Sequence, residues 1–150
     1  MKQISNRRLK RIREAAPVRD ALKARVGRCE HCLKPTAPEY LDCDEIARGS
    51  SRQQALDEPC SILVVHRLCH GLIQNWSRAK RLALLYLVRS SDYDLERFWQ
   101  ITGRRFPEQE DVDREIRLLL DCSRMDKIAG AGVEAPASLN TLSRKGAKHV

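Results

Sequence analysis

Two short residue pairs in this 150-residue chain have the types and spacing for metal chemistry: Cys29-x-x-Cys32 and His66-x-x-Cys69. A two-residue gap in a tight turn lets both side chains of a pair reach one tetrahedral centre. Four N/S donors at about 2.0–2.3 Å suit Zn²⁺ in a structural role. In a reducing compartment paired cysteines serve as metal ligands more often than as bridges. His70 in place of His66, or Cys43 in place of any one cysteine, would complete an equivalent set. Cys43, Cys60 and Cys122 otherwise read as small buried hydrophobes, and His31 as pointing to solvent. A redox role for Cys29-x-x-Cys32 would need a βαβ context, and short strands and loops surround it instead. The sequence holds no Gly-x-x-x-x-Gly-Lys loop and no Gly-x-Ser-x-Gly elbow, which sets aside P-loop and serine-hydrolase chemistry.

A second group of chemistry-bearing residues is acidic. Asp42, Asp44 and Glu45 stand close together, and on a strand 42 and 44 share a face. Crowding of this kind raises a carboxyl pKa when the groups are buried, and leaves it ordinary when they are solvated.

These residues need elements to position them. Ser5 can cap a helix over 6–16, with Leu9 and Ile12 on one side. Pro17 ends that helix or opens the next, which runs over 18–26 with Val18, Leu22 and Val26 spaced by four and Gly27 closing it. Tyr40, Leu41 and Ile46 suggest a short strand around a polar bend, 47–59 a loop, and Ser61–Val65 a second, β-branched strand. From His66 onward helix is expected, with Leu72, Ile73, Trp76, Ala79, Ala83, Leu87 and Val88 at helical spacing and Arg78, Lys80, Arg81 and Arg89 on a solvated face. Further helices follow over 92–102 and about 108–122. Trp76, Phe98 and Trp99 fit the core of this helical part. Beyond Lys127 the composition predicts disorder. The expected organisation is a basic helical arm (1–26), a zinc-binding domain (27–75), a helical extension (76–122) and a tail (123–150).

The net charge of +8 is unevenly placed. Residues 1–28 carry ten Lys/Arg against Glu14 and Asp20; residues 29–122 carry thirteen basic against sixteen acidic; residues 123–150 carry five against two. A basic N-terminal arm is attracted to a phosphate backbone regardless of base sequence, and Arg7, Arg8, Lys10 and Arg11 are the candidates for that contact. The longest apolar run, Leu82–Val88, is too short to span a bilayer. No apolar leader follows Met1, so a cytoplasmic or nucleoid-associated protein is expected rather than a secreted one.

Three stretches together resemble the zinc-bearing subgroup of the HNH endonuclease family: Cys29-Glu30-His31-Cys32; Leu41-Asp42-Cys43-Asp44-Glu45-Ile46-Ala47-Arg48-Gly49; and Leu63-Val64-Val65-His66-Arg67-Leu68-Cys69-His70. The resemblance spans about residues 27–75. It implies a ββα-metal (treble-clef-like) element stapled by zinc inside a mainly α protein. It also implies action on DNA, or on RNA, by hydrolysis of phosphodiester bonds. Two family positions depart from the pattern. The first strand has no histidine, and Ser61 stands where an asparagine orienting the base or the loop is expected. What the resemblance implies for the rest is that Asp44 and His70 hold a catalytic cation (Mg²⁺, Mn²⁺ or Ni²⁺), Glu45 activates water, and Arg48 and Arg52 grip phosphate. Two outcomes follow: a divergent endonuclease, or a catalytically silent domain that binds DNA or, through the C-terminal helices, a protein partner.

Overall fold

A computed structural model describes residues 5–122; the expected tail over 123–150 lies outside the described residues. The described chain is mainly helical, with one two-stranded antiparallel sheet.

The first helix, α1, runs unbroken over Asn6–Val26, with Ser5 Oγ accepting from the Arg8 N–H and Gly27 (φ 62°) ending it. Two helices separated at Pro17 were expected. Pro17 instead sits inside one, where it removes a backbone donor and crowds the preceding turn. What carries the helix through is docking along one face. Ala15 and Leu22 are buried. Arg11 bonds Asp57 and the carbonyl of Gln53. Arg19 bonds Glu45 and the carbonyl of Cys43, and Arg25 bonds Asp92. The inward face is therefore 11–15–19–22, spaced by three or four residues. Leu9, Ile12 and Val18, expected to form the apolar side, are partly exposed.

Strands β1 (Leu41–Glu45) and β2 (Ile62–His66) pair antiparallel, with Leu41 opposite His66 and Glu45 opposite Ile62. Ile62, Leu63, Val64 and Val65 are all fully buried, because helices pack around both strands. The connection between the strands is fastened at its base. The Ile46 N–H donates to the Ser61 carbonyl at 2.8 Å, and the Ala47 N–H to Ser61 Oγ at 3.2 Å.

Helix α2 (Arg67–Ile73) begins directly after β2, whose last residue, His66, is its N-cap. A break at 74–77 follows, and Ser77 Oγ, accepting from the Lys80 N–H, starts α3 (Arg78–Val88). The continuous helix expected from His66 is thus two helices, because the cap at Ser77 offers the backbone a new start. Helices α4 (Leu95–Thr102) and α5 (Gln109–Asp121) follow, α4 capped by Asp94 and α5 opened by a Glu108/Asp111 capping box. The apolar side of α5, Val112, Ile116 and Leu119, is buried, and α5 packs on α3. One continuous core joins Leu22 of α1, the strands, and α2 through α5. Phe98 lies in it, and the Trp99 indole N–H donates to the Pro107 carbonyl at 2.8 Å.

Arg81 and Arg89, expected on a solvated face of α3 and its end, are buried at 1% and 7% exposure. Both found internal carboxylates. Arg89 Nε lies 3.4 Å from Glu30 and 3.1 Å from Asp92, and its guanidinium donates to the carbonyls of Pro59 and Ile62. The Glu30 carboxylate also accepts from the Val64 N–H at 2.7 Å. Burial pushes the Glu30 carboxyl up, against the pull of Arg89 and that N–H.

Pro17→Ala should stabilise the protein by about 1–3 kcal/mol, because it restores a helical donor and relieves the ring clash; urea unfolding of the two proteins measures it. Glu30→Ala should cost about 3 kcal/mol, since it strands Arg89 in the core with only Asp92 to answer it.

Candidate metal centre

The two residue pairs meet. The ligand atoms of Cys29, Cys32, His66 and Cys69 all lie within 4.8 Å of one another, and these residues form the one such cluster found among the described residues. Cys32 Sγ is 3.4 Å and Cys69 Sγ 4.0 Å from His66 Nδ1. In a tetrahedral zinc site, donors at bonded lengths sit about 3.5–3.8 Å apart, so the set is already close to bonding geometry. The four residues are positioned to bind a metal ion, and the donor set is compatible with structural zinc. Neither alternative ligand joins it. Cys43 faces Val64 across the sheet, and His70 turns to Asp44.

Each pair is built by local backbone. Around the first, the Leu33 N–H donates to the Cys29 carbonyl at 2.7 Å and the Cys29 N–H to the Lys34 carbonyl at 3.0 Å. Leu33 takes a left-handed conformation (φ 64°) to close this turn, at a cost of about 1–2 kcal/mol for a residue with a Cβ. The second pair straddles the junction of β2 and α2, so one turn of helix brings Cys69 back beside His66.

Hydrogen bonds select the histidine atom. The Thr36 hydroxyl donates to the Lys34 carbonyl at 2.9 Å. With its single proton so placed, Thr36 Oγ1 accepts from His66 Nε2, 2.6 Å away. The proton therefore sits on Nε2 and the Nδ1 lone pair points at the cysteines, the arrangement by which outer hydrogen bonds orient metal-binding imidazoles. The Cys29 sulfur receives the His66 backbone N–H at 3.3 Å. Burial pushes its pKa up, but backbone N–H groups of Cys32, His66 and His31 bring it down overall. Cys69 goes the other way. Burial and then the neighbouring Cys29 and Cys32 sulfurs push it up to about 12, since a further negative charge here needs a cation. His31, expected in solvent, is half-buried with its ring 5.5 Å from that of Trp76, over which Lys80 is placed at 4.2 Å.

The second candidate group sits toward the other end of the sheet, where Asp44 pairs with Leu63 and Glu45 with Ile62. Asp44, 3% exposed, is held at both oxygens: His70 Nε2 is 3.0 Å from Oδ1, and Arg81 Nη1 is 2.9 Å from Oδ2. Arg81 also donates to the Glu45 carbonyl at 3.2 Å. Glu45 is clamped by Arg19 at 2.7 Å and Arg52 at 3.1 Å. Burial pushes the Glu45 carboxyl up, but the Arg19 hydrogen bond and the charges of Arg19 and Arg52 outweigh it, and the pKa is held below its ordinary 4.5. The crowding with Asp42 and Asp44 therefore does not lift it. Asp42 pairs with Arg67 at 3.5 Å. His70, partly exposed, opens on a cleft of about 520 Å³ lined also by Arg48, Arg52, Gln74 and Asn75.

Of the basic candidates, Arg7, Arg8 and Lys10 are exposed on α1, Lys10 lying 3.9 Å from Glu14. Arg11 is committed to Asp57. Arg48 donates to the Gln74 carbonyl. The sequence reading missed Arg19, Arg81 and Arg89 as partners of these carboxylates. Their only signal was arginine at positions in phase with buried ones, such as Arg81 beside Leu82 and Leu85.

Thr36→Val should weaken metal binding about 10–100-fold by freeing the His66 tautomer, read by chelator competition, while Cys43→Ser leaves affinity and stoichiometry unchanged. Glu45 contributes stability fully above its unfolded pKa and loses it as pH falls through the lower folded value. The stability gap between the protein and Glu45→Gln should thus narrow below pH 4.5 in denaturation curves.

No protein-family profile matches the chain, and searches of curated proteins and of solved structures returned no match.

Proposed function

We propose that this chain is an HNH-like zinc protein that binds nucleic acid through the face bearing His70 and no longer cleaves it. The observation that carries the reading is Asp44, held between His70 and the buried guanidinium of Arg81. Phosphodiester hydrolysis on this scaffold needs a divalent cation to neutralise charge developing on phosphate, and a base to take a proton from water. At the cation position Arg81 already supplies a positive charge, fixed at 1% exposure. At the base position Glu45 is engaged by two arginines and is a weaker base than a free glutamate.

Other features favour a retained scaffold. Zinc, when bound by Cys29, Cys32, His66 and Cys69, ties the first turn to the end of the hairpin and supplies folding energy rather than chemistry. Ser61, in place of the family asparagine, fastens the loop through Ala47. Arg48 and Arg52 stand beside His70 on the cleft, where they suit phosphate.

One observation favours a second reading, a slow endonuclease. His70 faces the cleft with its Nε2 on Asp44, as a cation ligand would. Plasmid nicking by the zinc-loaded protein in Mg²⁺, Mn²⁺ and Ni²⁺ separates the two, beside DNA retention at graded salt. The expected result is retention that weakens with salt and no nicking in any metal. Nicking that disappears in His70→Ala, with zinc content unchanged, establishes the endonuclease instead.

A further inference from the structure

The cleft at His70 has a neighbour. Between α1 and β1 lies a groove of about 560 Å³, lined by Arg8, Ile12 and Ala16 on the helix side and by Leu41 and Leu56 at its floor. The two clefts share Glu45, Gly49 and Arg52, so they adjoin and a ligand passing over Arg52 would follow both as one track. We infer that this track is a binding site for a single strand of nucleic acid, with a base against Ile12 and Ala16 and phosphates running over Arg8, Arg52 and Arg48. The inference rests on the nucleic-acid reading above and adds to it the strand form and the second groove.

The charge balance of the track supports it. Each carboxylate facing either cleft has its own partner: Asp20 has Lys23, Asp42 has Arg67, Asp44 has Arg81, and Glu45 has both Arg19 and Arg52. Four carboxylates thus meet five cations. Arg8 and Arg48 add two more that make no ion pair among the described residues. The surplus lies along the line from Arg8 to Arg48, and Arg52 in the middle keeps half its side chain exposed. Phosphates are drawn to such a line.

The form of the strand follows from the walls. Ile12 is 42% exposed and faces the groove without an apolar cover. A duplex presents phosphates outward and keeps its bases stacked, so it would touch the rims and leave the apolar wall empty. A single strand can turn a base into the groove while its backbone follows the cations. The placement also gives α1 a role as one wall of the site: its outer side holds Arg8 and Ile12, while its inner side is fixed by Arg11 and Arg19.

The test is fluorescence anisotropy with the full zinc-loaded chain and a labelled mixed-sequence DNA of about 12 nucleotides, within the usual range of single-strand sites. The same sequence as a duplex is the comparison. The expected result is single strand bound roughly 10-fold tighter than duplex, and Ile12→Glu lowering that affinity by roughly 10-fold. Arg8→Gln and Arg48→Gln should each flatten the slope of log affinity against log salt by about 0.7. Residues 8, 12 and 48 are exposed, and unchanged zinc content with unchanged circular dichroism checks their folding. Equal binding of duplex, or full binding by Arg8→Gln and Ile12→Glu while Arg48→Gln weakens, overturns the second groove and leaves the His70 cleft standing. No binding of either form by the parent protein overturns both readings.

Discussion

The register of β1 against β2 is the constraint from which the sites descend. Glu45 opposite Ile62 and Leu41 opposite His66 set three things at once. His66 ends the hairpin beside the Cys29–Cys32 turn. The chain then enters α2 with Cys69 one turn on. Asp44 and Glu45 emerge on the partner strand, β1, at the opposite end of the sheet. A slip of one residue would exchange the two faces, turning Asp44 away from Arg81 and Cys43 into its place. The sheet has only two strands, and two strands alone are marginal in water. The metal cluster at one end, the Ser61 bonds at the other, and the helices around both strands supply what the ladder lacks.

Those helices reach the strands through charge as much as through apolar contact. Glu30, Asp44 and Glu45 are buried, and each is answered by an arginine distant in sequence: Arg89, Arg81 and Arg19. Buried ion pairs repay their desolvation only with good geometry and further hydrogen bonds. Arg19 and Arg81 hydrogen-bond their carboxylates, whereas Arg89 meets Glu30 by charge alone and leaves Nε and Nη1 without a hydrogen bond among the described residues. Arg81 adds carbonyls of Glu45 and Trp76, Arg89 those of Pro59 and Ile62, and Arg19 those of Cys43 and Leu56. A carbonyl at the edge of a short strand is a group the ladder does not use, and the arginines satisfy it. The pairs therefore act as corner fasteners that fix α1 and α3 relative to the hairpin.

This is also where sequence reading stopped. Spacing brought out the four residues that the fold positions to bind a metal, since a two-residue gap twice over admits few geometries, though it left His70 and Cys43 open as substitutes. The second strand was legible because Ser61 to Val65 is a β-branched run; the first was marked only by Tyr40, Leu41 and Ile46, and its polar middle, Asp42 to Glu45, read as a bend where the structure has strand. Local chemistry misled at Pro17 and at Ser77. A proline inside α1 is outvoted by contacts at 11, 15, 19 and 22, which lie outside any local window. A serine within an apolar period proved to be a cap. The buried arginines were illegible because burial of a guanidinium depends on a carboxylate elsewhere in the chain, and nothing near Arg81 announces Asp44, 37 positions away.

The difference between a guanidinium and a divalent cation bears on what such a site can do. A metal ion binds several oxygens at once and keeps open positions, so it can take hold of phosphate and water as charge develops. Arg81 directs its donors at Asp44, Glu45 and Trp76, is nearly inaccessible, and offers no open position. It neutralises the carboxylate permanently and at no dependence on metal supply. The local field is then static: it holds His70 through Asp44, and on the proposed reading Arg48 and Arg52 are what would meet a phosphate at the surface. On the proposed reading, a scaffold wired in this way would keep what binding needs, a cleft with positive charge at its rim, and lack what turnover needs, a charge free to engage the reacting phosphate.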